Sequence, residues 1–189
     1  MAQLGEGEND VIAFDTGPGN ALLDDWILLN TGKTYDENGE AAFAGHVDET
    51  ILAKMLSHAY FSKSAPKSLD RQDFTKEAIK HLSVNDGAAT LAAFTVDSIV
   101  KGFELFPSKP NTLYVTGGGR KNHFMMRRLE EKLKIPVHSV DALGWNGDSL
   151  EAEGFAYLAV RSVLGLPLSL PTTTGVPQPM TGGQFAKAA

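Results

Sequence analysis

A strand, a turn and a helix follow one another near the start of the chain, and this order constrains the fold more than any other feature. The apolar run at residues 11–14 predicts a strand, and the apolar periodicity of residues 21–29 predicts a helix. Between them lies a turn that contains Gly17, Pro18, Gly19 and one acidic residue, Asp15. This order exposes the Asp15 carboxylate at the end of a strand, beside backbone N–H groups. We therefore expect an α/β protein with a charged group at a strand end.

The second half of the chain repeats the alternation of strands and helices. The predicted elements there are a long buried helix at 85–106, a strand at 112–116, a helix at 122–133, a strand at 137–140 and a helix at 147–164. Alternation of this kind favours an α/β layer architecture with parallel strand pairing. In the first half we expect further helices at 49–60, capped by Asp48, and at 74–82, capped by Asp73.

Composition excludes several classes of function. The 189 residues carry a formal net charge of −6, whereas a nucleic-acid interface needs a basic face. There is no Cys, which excludes thiol catalysis, and the five His residues lack the spacings of a zinc site. No apolar run approaches the ~18 residues of a membrane helix. The first ten residues do not have the pattern of a signal peptide. We expect a cytoplasmic protein, without nucleic-acid or membrane partners, whose residues 1–10 form a disordered leader.

Asp15 is the first candidate for chemistry. An ionised carboxylate at a strand end can accept a proton and act as a general base. The alternative interpretation is an Asx turn, in which the carboxylate only accepts local backbone N–H groups. Lys67 and Arg71, two cations of a later loop, could contact an acidic group of a substrate, although loop cations are commonly solvated.

Three consecutive glycines, Gly117, Gly118 and Gly119, lie between a predicted strand and a predicted helix. Such a turn lets a ligand approach the backbone, and the helix start that follows favours anionic groups. The pattern matches neither the dinucleotide-binding fingerprint nor the P-loop, and a plain tight turn also explains it. Asn122 could cap the following helix or bind a ribose.

Two carboxylates begin the last predicted helix. Asp148 and Glu151 lie three residues apart and therefore on neighbouring parts of one helix face. An N-cap aspartate followed by a first-turn glutamate accounts for the pair. Glu151 could instead hold the hydroxyl groups of a sugar in a cleft.

Five segments taken together are more specific than any single motif. They read FDTGPGN at 14–20, APKS at 65–68, VTGGG at 115–119, GDSLEA at 147–152 and LPTTTG at 170–175. Their order and wording resemble the anhydro-N-acetylmuramic acid kinases from about residue 11 to residue 183. The resemblance implies an actin-like ATPase (ribonuclease H-like) lobe, a mixed sheet flanked by helices, from a two-lobed protein of the sugar kinase and Hsp70 superfamily.

The resemblance also implies a reaction. ATP and water would convert 1,6-anhydro-N-acetylmuramic acid, an anhydro amino sugar, to N-acetylmuramate 6-phosphate and ADP in peptidoglycan recycling. Asp15 matches the general base that activates water. By the same resemblance, Gly17, Lys67 and Glu151 would contact the sugar, while Gly117, Gly118, Gly119 and Asn122 would line the adenosine side of the nucleotide. The expected cofactors are ATP and Mg²⁺, with no metal ligand among the protein residues.

One part of the family pattern is absent. The phosphate-binding segment Gly-Thr-Ser-x-Asp-Gly, which follows the first strand of the family, is missing, and so is the Arg-rich segment after it. We therefore expect residues 11–189 to be a C-terminal lobe whose N-terminal lobe is supplied in cis or in trans. The chain alone is then expected to have little kinase activity, and the family resemblance implies a homodimer.

Two other functions fit some of the same residues. The first is a non-catalytic nucleotide-binding or interaction module that is derived from such a kinase and keeps the glycine turn. The second is a glycosidase that uses Asp15 and Glu151 as its pair of carboxylates, which would act without ATP.

Overall fold

The computed structural model describes residues 1–5, 10–70 and 73–186, which form a mixed α/β structure. Its strands are β1 (Ala2–Leu4), β2 (Val11–Ala13), β3 (Leu113–Val115) and β4 (Val137–Ser139). Its helices are α1 (Ala21–Thr31), α2 (Glu40–Ala44), α3 (Glu49–Leu56), α4 (Val84–Phe103), α5 (His123–Leu133), α6 (Leu150–Val163) and α7 (Pro171–Thr174). Short 3₁₀ turns connect several of them. None of the helices within these ranges is long and apolar enough to cross a membrane.

The strands pair in two separate sheets of two strands each within the described residues. β3 pairs with β4 in parallel, with Leu113 opposite Val137, which confirms the parallel pairing predicted for the second half. β1 pairs with β2 in antiparallel orientation, with Ala2 opposite Ala13. Parallel and antiparallel pairings therefore both occur, although not in the one mixed sheet that we expected.

The start of the chain corrects the expectation of a disordered leader. Residues Ala2–Leu4 form β1 because their backbone groups pair with those of β2. The amino group of Met1 extends this pairing by donating to the carbonyl oxygen of Phe14 at 2.9 Å. Residues 6–9, which also belong to the predicted leader, lie outside the described residues.

The core is built around α4, which packs against α1, α2, α3 and α5. Small side chains on α4 permit this close packing. A Cβ atom on Gly87 would lie 2.4 Å from the indole of Trp26, so only glycine leaves room for the ring. The Trp26 indole N–H also donates to the carbonyl oxygen of Val84 at 2.9 Å. This contact joins α1 to the beginning of α4 and so fixes the helix that follows the Asp15 turn.

The region between α3 and α4 differs from the predicted structure. Asp48 caps α3 as expected, with its side chain accepting from the N–H of Ile51. The helix predicted at 74–82 is wrong, because only Glu77–Ile79 form a short 3₁₀ turn there. Phe74 and Ile79 are both buried, and residues five apart point about 140° away from each other on an α-helix. An irregular turn therefore buries both side chains in one core where a regular helix could not.

Candidate functional site

Asp15 lies two residues after the end of β2 and is anchored by a distant segment. Its backbone N–H donates to the carbonyl oxygen of Lys67 at 3.0 Å. Its Oδ2 accepts from the N–H of Leu69, also at 3.0 Å. Oδ1 accepts no hydrogen bond from any residue that the structure describes. Since Leu69 is far away in sequence, the Asx-turn interpretation is wrong, and the carboxylate is exposed but held in one orientation.

Tyr60 and Lys67 stabilise the Asp15 turn. Tyr60 is only 1% exposed, and its hydroxyl donates to the carbonyl oxygen of Asp15 at 2.5 Å. Burial, with the charge of Asp15 adding to it, raises the pKa of Tyr60 to about 12, so the phenol stays protonated as a donor. The Lys67 Nζ donates to the carbonyl oxygen of Tyr60 at 3.3 Å and lies 4.6 Å from the centroid of the Tyr60 ring. Burial lowers the pKa of Lys67, and the charges of Lys63 and Lys101 lower it further.

An open cleft of about 640 Å³ lies beside Asp15. Its lining includes Phe14 and Asp15 from the first segment, Pro66 and Lys67 from the second, and Thr173 from α7. The fold thus brings together three of the five segments that carry the family resemblance. This volume is in the usual range for a small-molecule site, and its lining includes the acidic Asp15 and the basic Lys67.

The glycine turn lies next to the Asp15 turn. A Cβ atom on Gly119 would lie 3.6 Å from Oδ1 of Asn20, the residue that ends the Asp15 turn. Gly117 has a φ of 70°, in the left-handed region that favours glycine. No described atom would lie within 4 Å of a Cβ placed on Gly117, so a ligand has room to approach this backbone. The structure therefore places the two candidate turns side by side.

Asn122 has a structural role at the start of α5. Its Oδ1 accepts from the N–H of Met125 at 3.0 Å, which is the geometry of an N-cap. The residue is 4% exposed, and a Cβ atom on Gly39 would lie 2.4 Å from the same Oδ1. Of the two roles considered for Asn122, the structure shows the cap. A contact between Asn122 and a nucleotide stays a prediction.

Arg120 is a residue of this region to which the sequence pattern assigned no role. Its side chain is 6% exposed, and its Nη1 donates to the carbonyl oxygen of Gly117 at 3.0 Å and to Asp148 at 2.9 Å. Its Nε donates to Asp141 at 2.9 Å. A Cβ atom on Gly147 would lie 2.4 Å from this Nε, so the turn before α6 closes directly over the guanidinium. Arg120 therefore joins the glycine turn to the start of α6. The sequence signal that could have indicated this role is an arginine directly after three glycines.

The two carboxylates that contact Arg120 are both strongly acidic. Hydrogen bonds from Arg120 and then from Lys121 lower the pKa of Asp148 to about 2. Hydrogen bonds from Ser139 and then from Arg120 hold the pKa of Asp141 well below its usual range. Asp148 is therefore an ion-pair partner and not the predicted helix cap. That position belongs to Ser149, which makes no side-chain capping bond.

The other predicted site residues are not among the described residues that line the cleft. Gly17 packs on α4, where an added Cβ atom would lie 2.8 Å from Cβ of Ser98. Glu151 is exposed in the first turn of α6, apart from the described residues that line the cleft. Arg71 lies outside the described residues. Within the described ranges, no group of three or more His, Asp or Glu side chains is arranged to hold a metal ion.

The fold and the site define a mixed α/β protein with an acidic strand end beside a glycine-rich turn. A family model described as anhydro-N-acetylmuramic acid kinase matches residues 4–187. The chain belongs to this family, which is a family of sugar kinases.

Individual relatives agree with this family membership. A protein of Zymomonas mobilis subsp. mobilis named anhydro-N-acetylmuramic acid kinase is 51% identical over 182 residues, which are 96% of this chain and 50% of the relative. A protein of the same name from Rhodospirillum rubrum is 50% identical over 98% of this chain and 50% of its own length. The protein of this name from Caulobacter vibrioides is 51% identical over 93% and 47% respectively. The chain spans about half the length of the curated relatives that it matches.

Proposed function

We propose that this chain provides the catalytic base and the nucleotide turn of an ATP-dependent kinase of 1,6-anhydro-N-acetylmuramic acid. The products would be N-acetylmuramate 6-phosphate and ADP, formed in the cytoplasm during peptidoglycan recycling. Family membership supports the reaction, because the relatives carry the name of this kinase. The observation that carries the proposal is Asp15, which is anchored at a strand end, lines a cleft, and begins a turn whose last residue, Asn20, lies beside Gly119.

Asp15 would act on water. A carboxylate oxygen accepts a proton from the water molecule, whose oxygen attacks the anomeric carbon while the bond from that carbon to the bridging oxygen breaks. The freed oxygen at position 6 then receives the phosphoryl group of ATP. The hydrogen bonds from Leu69 and Tyr60 hold the base in position for the attack. General-base catalysis of this kind typically contributes about 10²–10⁴-fold to the rate.

Substrate and nucleotide would occupy the two adjacent turns. Lys67 lines the cleft and would attract an acidic group of the sugar. Gly17 and Glu151 are not part of this lining, and we propose their sugar contacts, which the family resemblance implies, for the complete two-part protein only. The nucleotide would lie along Gly117, Gly118 and Gly119, where the backbone is open to a ligand. Mg²⁺ neutralises the charge of the phosphates in such reactions and takes most of its ligands from phosphate and water. We propose no protein ligand for this ion.

Activity would require the part of the family polypeptide that this chain does not include. The curated relatives are about twice as long as the matched region. We propose that this second part is an N-terminal lobe with the phosphate-binding segment, that it acts in cis or in trans, and that the complete protein forms a homodimer. The chain alone would then show little or no turnover.

A coupled assay of ADP release tests this proposal. The chain is assayed with ATP, Mg²⁺ and the anhydro sugar, alone and after co-expression with the unmatched half of the Zymomonas mobilis relative. We expect turnover only in the second case and a loss of about 10²–10⁴-fold in kcat for Asp15→Asn. Glu49→Gln, at an exposed position of α3, is the control and should keep full activity.

Each alternative gives a different result in the same assay. Turnover by the chain alone would overturn the requirement for a second part. Full activity of Asp15→Asn would overturn its role as the base. Sugar cleavage without ATP would favour the glycosidase, and nucleotide binding without turnover in the co-expressed protein would favour the non-catalytic module.

A further inference from the structure

Helix α6 has no buried residue along its whole length. It carries large apolar side chains nonetheless, and Phe155 is 67% exposed and Val163 70% exposed. A helix of 14 residues is only marginally stable in water by itself, since most helices in proteins depend on packing of an apolar face. The length and composition of α6 therefore indicate a helix that needs a covering partner.

Four apolar residues of α6 form one stripe. They are Phe155, Leu158, Ala159 and Val163, whose spacing of three and four residues places them on a single helix face. Together with residues 181–185 the stripe lines a groove of about 1150 Å³. Single exposed apolar side chains are common on protein surfaces, but a continuous apolar groove marks a binding surface.

The beginning of α6 is joined to the candidate site. Asp148, two residues before α6 begins, forms an ion pair with Arg120, and Arg120 donates to the carbonyl oxygen of Gly117. Glu151 lies four residues before Phe155, so this acidic residue is on the same helix face, between the apolar stripe and the start of α6. A partner seated on the stripe would consequently extend to the place where a phosphate-binding segment is needed.

The length of the relatives identifies the partner. The 182 matched residues are 50% of the Zymomonas mobilis protein, so a segment of nearly equal length accompanies this region in the relative. We propose that the α6 stripe is the docking surface for that other half of the family polypeptide. This inference rests on the two-part enzyme of the proposed function and adds the surface through which the parts associate.

Binding without substrate tests the surface. The chain and the unmatched half of the Zymomonas mobilis relative are purified separately and mixed, and their association is measured by light scattering and by titration calorimetry in the absence of ATP and sugar. We expect the two halves to bind in equal numbers, and we expect Phe155→Ser to raise the Kd by roughly 30-fold or more, because a buried phenyl ring is lost. Leu29→Ser is the matched control, since Leu29 is 73% exposed on α1, and it should leave the Kd unchanged.

A covalent fusion of the two halves provides a second measurement that does not depend on affinity. Amide hydrogen exchange of α6 should be slow in the fusion and fast in the chain alone. Phe155→Ser should speed this exchange in the fusion and have little effect in the chain alone, while Leu29→Ser should change neither.

The other outcomes overturn the inference. These are equal Kd values for both variants, fast exchange of α6 in the fusion, or a homodimer of this chain that Phe155→Ser dissociates. Because no step of these experiments uses catalysis, failure of the kinase assay alone leaves the result intact. A complex that binds through α6 but has no activity would overturn the proposed function only.

Discussion

Substitution of Asn122 distinguishes a structural role from a ligand-binding role at one residue of the candidate site. Asn122→Ala removes the Oδ1 that accepts the Met125 N–H at the start of α5. The side chain is 4% exposed, so water cannot readily replace the lost acceptor. Met125 and Leu129 of the same helix are buried, and loosening of its first turn would disturb their packing.

The magnitude follows from the geometry of the cap. Loss of an N-cap side chain costs about 1 kcal/mol, with a range of roughly 0.5–2 kcal/mol. Leaving a buried N–H without a partner costs about 1–3 kcal/mol, and the two effects overlap because they concern the same bond. We therefore expect Asn122→Ala to lower the free energy of unfolding by about 2 kcal/mol, which is a factor of roughly 30 in the unfolding equilibrium. For a chain of this length the corresponding decrease in Tm is about 4–8 °C.

Urea unfolding followed by circular dichroism measures the effect, with nucleotide binding measured on the same proteins. Asn122→Ser is the matched control, because serine also accepts the N–H bond but has no amide. It should stay within about 0.5 kcal/mol of the unsubstituted chain. Unchanged stability of Asn122→Ala would refute the reasoning. Normal stability of Asn122→Ser with lost nucleotide binding would instead assign the amide to the ligand.

Three further substitutions test other contacts. Gly87→Ala should lower the free energy of unfolding by about 1–3 kcal/mol, because its Cβ would lie 2.4 Å from the Trp26 indole; unchanged urea unfolding would contradict the packing. Tyr60→Phe removes the hydrogen bond to the Asp15 carbonyl and should cost about 1 kcal/mol, with a lower kcat in the co-expressed kinase; an unaltered kcat would show that this bond does not position the base. Arg120→Met tests how the free energy of unfolding changes as the pH falls. Hydrogen bonds from Arg120 and then Lys121 lower the pKa of Asp148 to about 2, and hydrogen bonds from Ser139 and then Arg120 lower the pKa of Asp141, in each case below the unfolded value of 3.8. Their stabilising contribution is therefore present above about pH 4 and is lost as the pH falls toward 2. The variant should lose less stability than the unsubstituted chain over this window in an acid titration followed by circular dichroism, and parallel curves would contradict the ion pairs.

Local patterns predicted most of the regular elements. The period of 3.6 residues in the apolar positions identified α1, α4 and α5 within a few residues of their bounds, because a helix that packs on a core must bury one face. The apolar periodicity predicted a wrong helix between α3 and α4. Aromatic side chains are buried there although their backbone forms irregular turns. Phe74, for example, packs against Phe94 of α4 with the ring centroids 5.3 Å apart.

The position of Asp15 in the chain was predictable for a similar reason. Asp15 does lie at a strand end, since strand, turn and helix are adjacent in sequence and their order defines its position. Its hydrogen-bond partner was not predictable, because Leu69 is separated from it by 54 positions. Arg120 was overlooked for the same reason. An arginine after a glycine turn is ordinary until two later turns are found folded over it.

The sequence by itself determined the family, the alternation of strands and helices and the residue types at the candidate site. These properties depend on local order and on side-chain chemistry, which are present in the linear chain. The tertiary structure alone decided which turns lie side by side, that Asn122 is a cap, that Asp148 is an ion-pair partner and that α6 is uncovered. Burial and hydrogen bonding between distant segments depend on how the whole chain packs, and a periodic apolar stripe does not specify whether its partner belongs to the same packed core. The stripe of α6 has the same periodicity as the stripes of buried helices, yet the described residues leave it exposed.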